Sequence, residues 1–258
     1  MHHRILQSGL LALTLAFAIP TVTAQTAAPP APAAKAEAVD AATIAALKKM
    51  GAHLQTLRRF RVTTDLTGER VLADGQKLQH MASAELDVQR PNKLRARMSS
   101  ARSGRELFYD GKDVALFTPA QQYYAKAGFT GSLAELIDRL QARYGFEMPL
   151  SDMFVWGTPA AQFDNIESAM NAGQDFVGDD LCDHYALRQG NFDWQIWITV
   201  GDKPLPRKLV IVNRGDEARP QSVSLIEWDL KPGFADSAFT FKPPKGAKAI
   251  EMVPRKGQ

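Results

Sequence analysis

The sequence predicts an α+β fold: an antiparallel half-open β-barrel of about eleven strands, with helices covering its concave face. Apolar and polar residues alternate through residues 60–125 and again through 174–230, and short Gly-, Asn- or Asp-containing turns separate the runs. Helical periodicity is confined to the stretch before the first run and the stretch between the two. Because eleven strands exceed what an open twisted sheet usually holds flat, the sheet is expected to curl and the helices to cover it.

The first 24 residues are typical of a cleavable secretory signal peptide. Arg4 supplies a positive end, residues 9–19 are almost entirely apolar, and Val22-Thr23-Ala24 places small side chains before a cleavage site. The apolar stretch is about half of the ~20 residues that span a bilayer. We expect cleavage between Ala24 and Gln25, with no lipid anchor because no cysteine follows the apolar stretch.

Residues 25–38 form an Ala/Pro-rich segment that predicts a flexible leader. Residues 39–258 contain no further linker-like stretch, so they are expected to form one domain. Asp40 is placed to cap a first amphipathic helix that runs to about residue 59. Six strands should follow from Phe60, with turns at Asp74-Gly75, Ser103-Gly104 and Asp110-Gly111.

The middle of the chain is predicted to be helical. Ser132 and Glu135 stand at the spacing of a capping box before an amphipathic helix. Residues 149–156 form a short apolar stretch ending in Trp156, which is expected at the edge of a lid, and residues 159–170 predict a further short helix.

Five more strands are expected at residues 174–177, 183–189, 192–200, 208–213 and 221–230. Phe192, Trp194, Ile196 and Ile198 give the clearest period-two pattern in the chain, directly after a hairpin turn at Gly190-Asn191. One face of this strand should therefore be strongly apolar.

The charge balance excludes some classes of partner. The chain has 31 basic and 28 acidic residues, a formal net charge of +3. This near balance predicts no nucleic-acid surface and at most a peripheral association with a membrane. Cys182 is the single cysteine, so an internal disulfide cannot form and the core must hold the domain together. A monomer is expected.

Catalytic motifs are missing from the sequence. It has no Gly-x-Ser-x-Gly elbow, no phosphate-binding glycine loop and no His-Glu-x-x-His. Cys182 and His184 would share one strand face, but two ligands are too few for a closed zinc site. The sequence therefore predicts neither an enzyme nor a cofactor or metal site, and a hydrolase ranks last among the functions considered.

An ordered set of short motifs resembles the LolA/LolB superfamily of periplasmic lipoprotein carriers, and above all an uncharacterised branch of predicted periplasmic proteins. The motifs occur in this order: residues 57–60, 90–92, 109–112, 116–119 and 239–247. The resemblance implies a periplasmic half-barrel with an apolar, helix-lidded concave face. Residues 132–170 resemble the carrier lid least, so the resemblance leaves the ligand open.

The resemblance also implies a function for the concave face. It would hold a lipid or a lipoprotein acyl chain, and Arg90 matches the arginine that latches the lid in that family. The side chains expected to line the site are Leu86, Leu94, Met98, Phe108, Phe192, Trp194 and Ile196. A sensor or interaction module that recognises an envelope protein is the alternative.

Overall fold

The computed structural model of the protein describes residues 38–254. The signal peptide predicted at 1–24 and the leader up to residue 37 lie outside the described residues. Among the described residues, no helix is long and apolar enough to cross a membrane.

Helix α1 spans Ala41–Thr56, ending slightly before the predicted boundary. The Asp40 side chain caps it by accepting hydrogen bonds from the backbone N–H groups of Ala42 and Thr43. Just before the cap, Val39 forms a parallel bridge with Ala169. The chain therefore enters the helix from one edge of the sheet.

The first half of the sheet is a meander of six antiparallel strands joined by short turns. These are β1 (Arg59–Val71), β2 (Lys77–Gln89), β3 (Lys93–Ser99), β4 (Gly104–Tyr109), β5 (Asp113–Thr118) and β6 (Tyr123–Gly128). Helix α2 (Leu133–Tyr144) follows, and it begins with the predicted capping box between Ser132 and Glu135.

The second half begins after a 3-10 turn, Ser151–Phe154. It contains β7 (Ile166–Val177), β8 (Asp180–Gln189), β9 (Phe192–Thr199), β10 (Pro206–Asn213) and β11 (Gln221–Asp229). The helix predicted at 159–170 is wrong. Residues from Ile166 onward form β7, because their backbone pairs with β8 on one side and, at Ala169, with the segment before α1 on the other.

All strands of the described residues form one sheet in the order β12-β6-β5-β4-β3-β2-β1-β11-β10-β9-β8-β7. β1 and β11 pair antiparallel, from Arg61 with Asp229 to Gly68 with Ser222, and this seam joins the two meanders. β12 (Lys248–Ala249) is a two-residue strand, parallel to β6, that the sequence did not predict. The predicted fold class, an open antiparallel sheet with covering helices, is confirmed.

The concave face and the two helices share one buried core. Leu86 and Leu94 from the first meander, Ile196 from the second, Leu47 from α1 and Leu136 from α2 all belong to it, and each is fully buried. The helices therefore fill much of the concave face, and an open site can exist only where they leave it uncovered.

A C-terminal strap, residues 230–247, crosses the convex face. Phe234 lies under the guanidinium of Arg59, and Phe239 is fully buried. Phe241 packs against Phe108, Phe117 and Tyr124, with ring centroids 5.2 to 5.6 Å apart. Phe239 and Phe241, near the end of the chain, thus cover the sheet from outside.

Candidate ligand-binding site

A cavity of about 300 Å³ opens on the concave face where the helices end. We call it the tryptophan cavity, and its lining comes from β8, β9, β10 and the segment that contains the 3-10 turn. The lining residues are Asp152, Trp156, Gln189, Phe192, Trp194, Leu209 and Ile211. Its volume is at the lower end of the range for small-molecule sites, and most of these side chains are apolar, as is typical of such sites.

The strand register explains why these side chains meet. Alternation along β9 places Phe192 and Trp194 on the concave face, and Trp194 pairs with Ile211 of β10. Leu209, two residues before Ile211, lies on the same face opposite Ile196. The wall of the cavity is therefore a patch of two neighbouring strands that no helix covers.

The opposite wall is the lid segment, residues 150–158. Helix α1 holds it in place: the side-chain amide of Gln55 donates a hydrogen bond to the Trp156 carbonyl at 2.6 Å. The backbones also meet closely, since a Cβ on Gly51 would lie 2.6 Å from the Gly157 nitrogen. The backbone at Trp156 is thereby held against α1, and Trp156 is one of the lining residues of the cavity.

A small extension of about 10 Å³ continues from the tryptophan cavity under the lid segment. Its lining adds Leu150, Met153, Pro206, Ile226 and Trp228. The Trp228 indole N–H donates to the Pro206 carbonyl at 2.8 Å, which fixes that ring. The deep end is thus almost filled by apolar side chains.

Asp152 is the one charged side chain that lines the tryptophan cavity. Desolvation by the surrounding protein raises the pKa of this carboxyl above its ordinary value, and a hydrogen bond from its own backbone N–H opposes that rise. The residue as a whole is exposed, and it lines the cavity. Within the described part of the chain, it forms no ion pair.

The seven predicted lining residues divide into four groups. Leu86, Leu94 and Ile196 are fully buried in the packed core. Met98 lies on the concave face at β3 and is partly buried against the same core. Only Phe192 and Trp194 line the tryptophan cavity.

Phe108 is on the wrong side of the sheet for the predicted site. It pairs with Arg95 across β3 and β4, and the Arg95 guanidinium lies 5.2 Å from its ring. Its neighbours Leu107 and Tyr109 are fully buried on the concave face, so Phe108 must point outward, against Phe241.

Arg90 does not form the predicted latch. Its Nε and Nη2 atoms are buried without a hydrogen-bond partner among the described residues. Desolvation, with a smaller contribution from the nearby Arg58 charge, lowers the pKa of its guanidinium. Only its backbone is tied near α1, through a bond from Arg90 N to Arg58 O at 2.8 Å. The lid segment is instead held by Gln55.

The sequence did not predict four of the lining residues: Leu209, Ile211, Gln189 and Asp152. Leu209 and Ile211 could have been found, because they alternate within a predicted strand. The position of Asp152 depends on the left-handed backbone of Leu150, with φ 58°, which begins the 3-10 turn. No sequence pattern signals that conformation at a leucine.

Three other cavities are each lined by at least one arginine, namely Arg97, Arg105 and Arg70 respectively. One of about 490 Å³ contains the ion-paired residues Glu85, Arg97 and Glu106. Cys182 offers no reactive thiol, because burial and the nearby Asp180 charge raise its pKa to about 11. His184 stacks on Trp197, with ring centroids 4.0 Å apart. Within residues 38–254, no group of three or more His, Cys, Asp or Glu side chains could hold a metal ion.

Several solved structures are similar to this chain at low sequence identity. The lipoprotein LppX of Mycobacterium tuberculosis is 12% identical with a TM-score of 0.48, covering 76% of this chain and 98% of its own. LprF of Mycobacterium bovis is 10% identical with a TM-score of 0.43, covering 82% and 100%. A LolA superfamily protein from Nitrosomonas europaea is 12% identical with a TM-score of 0.37, covering 77% and 97%.

By sequence, no curated protein matches the chain. A family model described as "Predicted periplasmic protein (DUF2092)" matches residues 43–253. This range includes all the described helices and strands, apart from the first two residues of α1. The branch of predicted periplasmic proteins that the sequence resembles is thereby confirmed. The chain belongs to the DUF2092 family of predicted periplasmic proteins.

Proposed function

We propose that this protein is a periplasmic binding protein that holds the apolar chain of a lipid or lipidated protein in the tryptophan cavity. The observation that carries the proposal is the uncovered patch of β9 and β10, where Phe192, Trp194 and Ile211 face the lid segment across about 300 Å³. Aromatic and aliphatic side chains with few polar groups favour an apolar ligand.

The fold supports this proposal because it leaves an apolar surface partly open. Phe192 is 46% exposed at the rim, although the rest of the apolar face of β9 is buried or half-buried. An occupant would cover that ring, and each buried methylene would contribute about 0.8 kcal/mol to binding.

The location of the protein is part of the proposal. The family description and the signal-like residues 1–24 favour export to the periplasm, where we propose that the protein acts as a soluble monomer. Amino-terminal sequencing of the exported protein should read from Gln25. An uncleaved terminus would contradict a removable signal peptide.

The test is a titration with saturated single-chain amphiphiles of increasing length, in which tryptophan fluorescence measures binding. Because each methylene contributes about 0.8 kcal/mol, affinity should rise about fourfold per methylene until the cavity is full. Flat affinity across the series would mean that no chain enters the cavity.

A matched pair of variants tests whether the apolar chain binds in the tryptophan cavity or on the opposite face of the sheet. Phe192 and Leu225 are both 46% exposed, but Leu225 lies on the convex face, opposite Lys208. We expect Phe192→Glu to weaken binding of a twelve-carbon chain at least tenfold and Leu225→Glu to leave it unchanged. Equal effects from the two variants would place the ligand elsewhere.

A further inference from the structure

The lining of the tryptophan cavity carries negative charge and no positive charge. Asp152 is the single charged residue in the lining of the cavity and of its extension, and neither lining includes Lys, Arg or His. Each of the three other cavities described contains at least one arginine: Arg97, Arg105 or Arg70. The difference is notable in a chain whose net charge is +3.

The carboxylate of Asp152 also lacks a counter-charge from the protein. Within residues 38–254 it forms no ion pair, and the only hydrogen bond that affects its ionisation comes from its own backbone N–H. Its backbone carbonyl is already used, since it accepts bonds from Val155 N and Trp156 N at 2.9 Å each. Among the polar groups of Asp152, the two carboxylate oxygens are therefore the ones without a partner from another described residue.

Three aromatic side chains share the cavity with this carboxylate: Trp156, Phe192 and Trp194. The faces of aromatic rings attract cations, tryptophan most strongly, and aromatic walls are a recurring way to bind ammonium groups. A carboxylate in partly desolvated surroundings gains most from an opposite charge, because the attraction is screened less than in water. A negatively charged head group would meet repulsion from Asp152 and from the electron-rich ring faces.

We propose that the tryptophan cavity selects amphiphiles whose polar end is a cation, with Asp152 as the counter-ion and the tryptophan rings as the walls around it. This inference rests on the proposed function, because it names the head group that would accompany the apolar chain. It assigns Asp152 to ligand specificity.

The experiment compares three probes with the same twelve-carbon chain: dodecyltrimethylammonium, dodecanoate and dodecanol, each below the concentration at which it forms micelles. Binding is followed by tryptophan fluorescence and by calorimetry at neutral pH. We expect the ammonium probe to bind at least tenfold more tightly than dodecanoate, with dodecanol between them. Equal affinities for the ammonium and carboxylate probes would overturn the inference.

Variants then assign the preference to Asp152. Asp152→Asn should reduce the preference for ammonium over carboxylate at least fivefold, while binding of dodecanol changes little. Asp152→Glu, which retains the charge, should keep most of the preference. Asp138→Asn on the exposed face of α2 makes the same charge change away from the cavity and should have no effect.

The outcomes separate this inference from the proposed function. If all three probes bind but the preference is the same in Asp152→Asn as in the unmodified protein, the head-group inference is wrong and the apolar site stands. If none of the three probes binds the unmodified protein, both the inference and the proposed function are wrong.

Discussion

Gly51 and Gly157 bring the backbone of α1 against that of the lid segment. A Cβ on Gly51 would approach the Gly157 nitrogen to 2.6 Å, and a Cβ on Gly157 would approach the Gly51 carbonyl oxygen to 2.3 Å. Backbone atoms cannot move aside as a flexible side chain can. The absence of a side chain at Gly51 therefore fixes how closely the lid approaches the helix.

Gly51→Ala should destabilise the protein, although alanine is the better helix former by about 1 kcal/mol. The new methyl group has to push the lid segment away, which also weakens the Gln55 bond to Trp156. Urea unfolding of the variant measures the change. Ala45→Gly, at an exposed position of the same helix, is the control for propensity alone and should cost about 1 kcal/mol. A Gly51→Ala protein more stable than the original would contradict the close contact.

At the same scale, the sequence predicted some side-chain directions and missed others. Alternation predicted that Phe192 and Trp194 share one face of β9, and in the structure both line the tryptophan cavity. Phe108 was expected to line the concave face, but its neighbours Leu107 and Tyr109 occupy that face of β4. The covering partner of Phe108, Phe241, is far away in sequence, so no local pattern indicated that an outward ring would be covered.

Among the elements, α2 follows most directly from its sequence. The Ser132 hydroxyl accepts a hydrogen bond from Glu135 N, and the Glu135 carboxylate accepts one from Ser132 N at 2.7 Å. The Ser132 hydroxyl also donates to this carboxylate, and the two bonds that the carboxylate accepts lower the pKa of Glu135, the backbone bond most and the hydroxyl bond next. A lowered pKa means that the folded state prefers the carboxylate, so this contribution is present above the ordinary pKa of 4.5 and is lost as the pH falls below it.

Ser132→Ala should shorten or fray the first turn of α2 and cost about 1 kcal/mol of stability. The pKa of Glu135, followed by NMR titration, should move back toward 4.5 because one of its hydrogen bonds is gone. Ser151→Ala is the control, since that serine begins a 3-10 turn without a side-chain cap. An unchanged Glu135 pKa would show that the reciprocal bonds do not form in solution.

β7 is the element that the sequence assigned wrongly. Residues 159–170 combine Ala, Gln, Glu and Met, which favour helix locally. Pairing with β8 overrides that preference, and the register shift between Ile166 and Ser168 disrupts the alternation that would have signalled a strand. Local propensity could not reveal that β7 pairs with β8. By contrast, β9 could be predicted from its own strong alternation, without knowledge of its neighbours.

For the whole molecule, the seam between β1 and β11 should be the most protected part of the sheet. β1 has neighbours on both sides, and its partners Leu86, Val88 and Ile226 are buried in the core. Hydrogen exchange should be slowest there and fastest at the two edges, β12 and the end of β7 near Phe176, which is 73% exposed. Equal protection of β7 and β1 would contradict the single-core arrangement.

The seam between β1 and β11 also constrains the order in which the strands of the chain can pair during folding. Gln221 donates a backbone hydrogen bond to the Glu69 carboxylate, 152 positions earlier in the chain. A ribosome or an export channel delivers the amino-terminal strands first, so the outer edge of β1 must remain unpaired until almost the whole chain has emerged. A nascent chain of this kind exposes an unpaired strand edge, which can aggregate, for most of its synthesis. It should therefore depend on holding chaperones more than a protein whose neighbouring strands are consecutive in sequence.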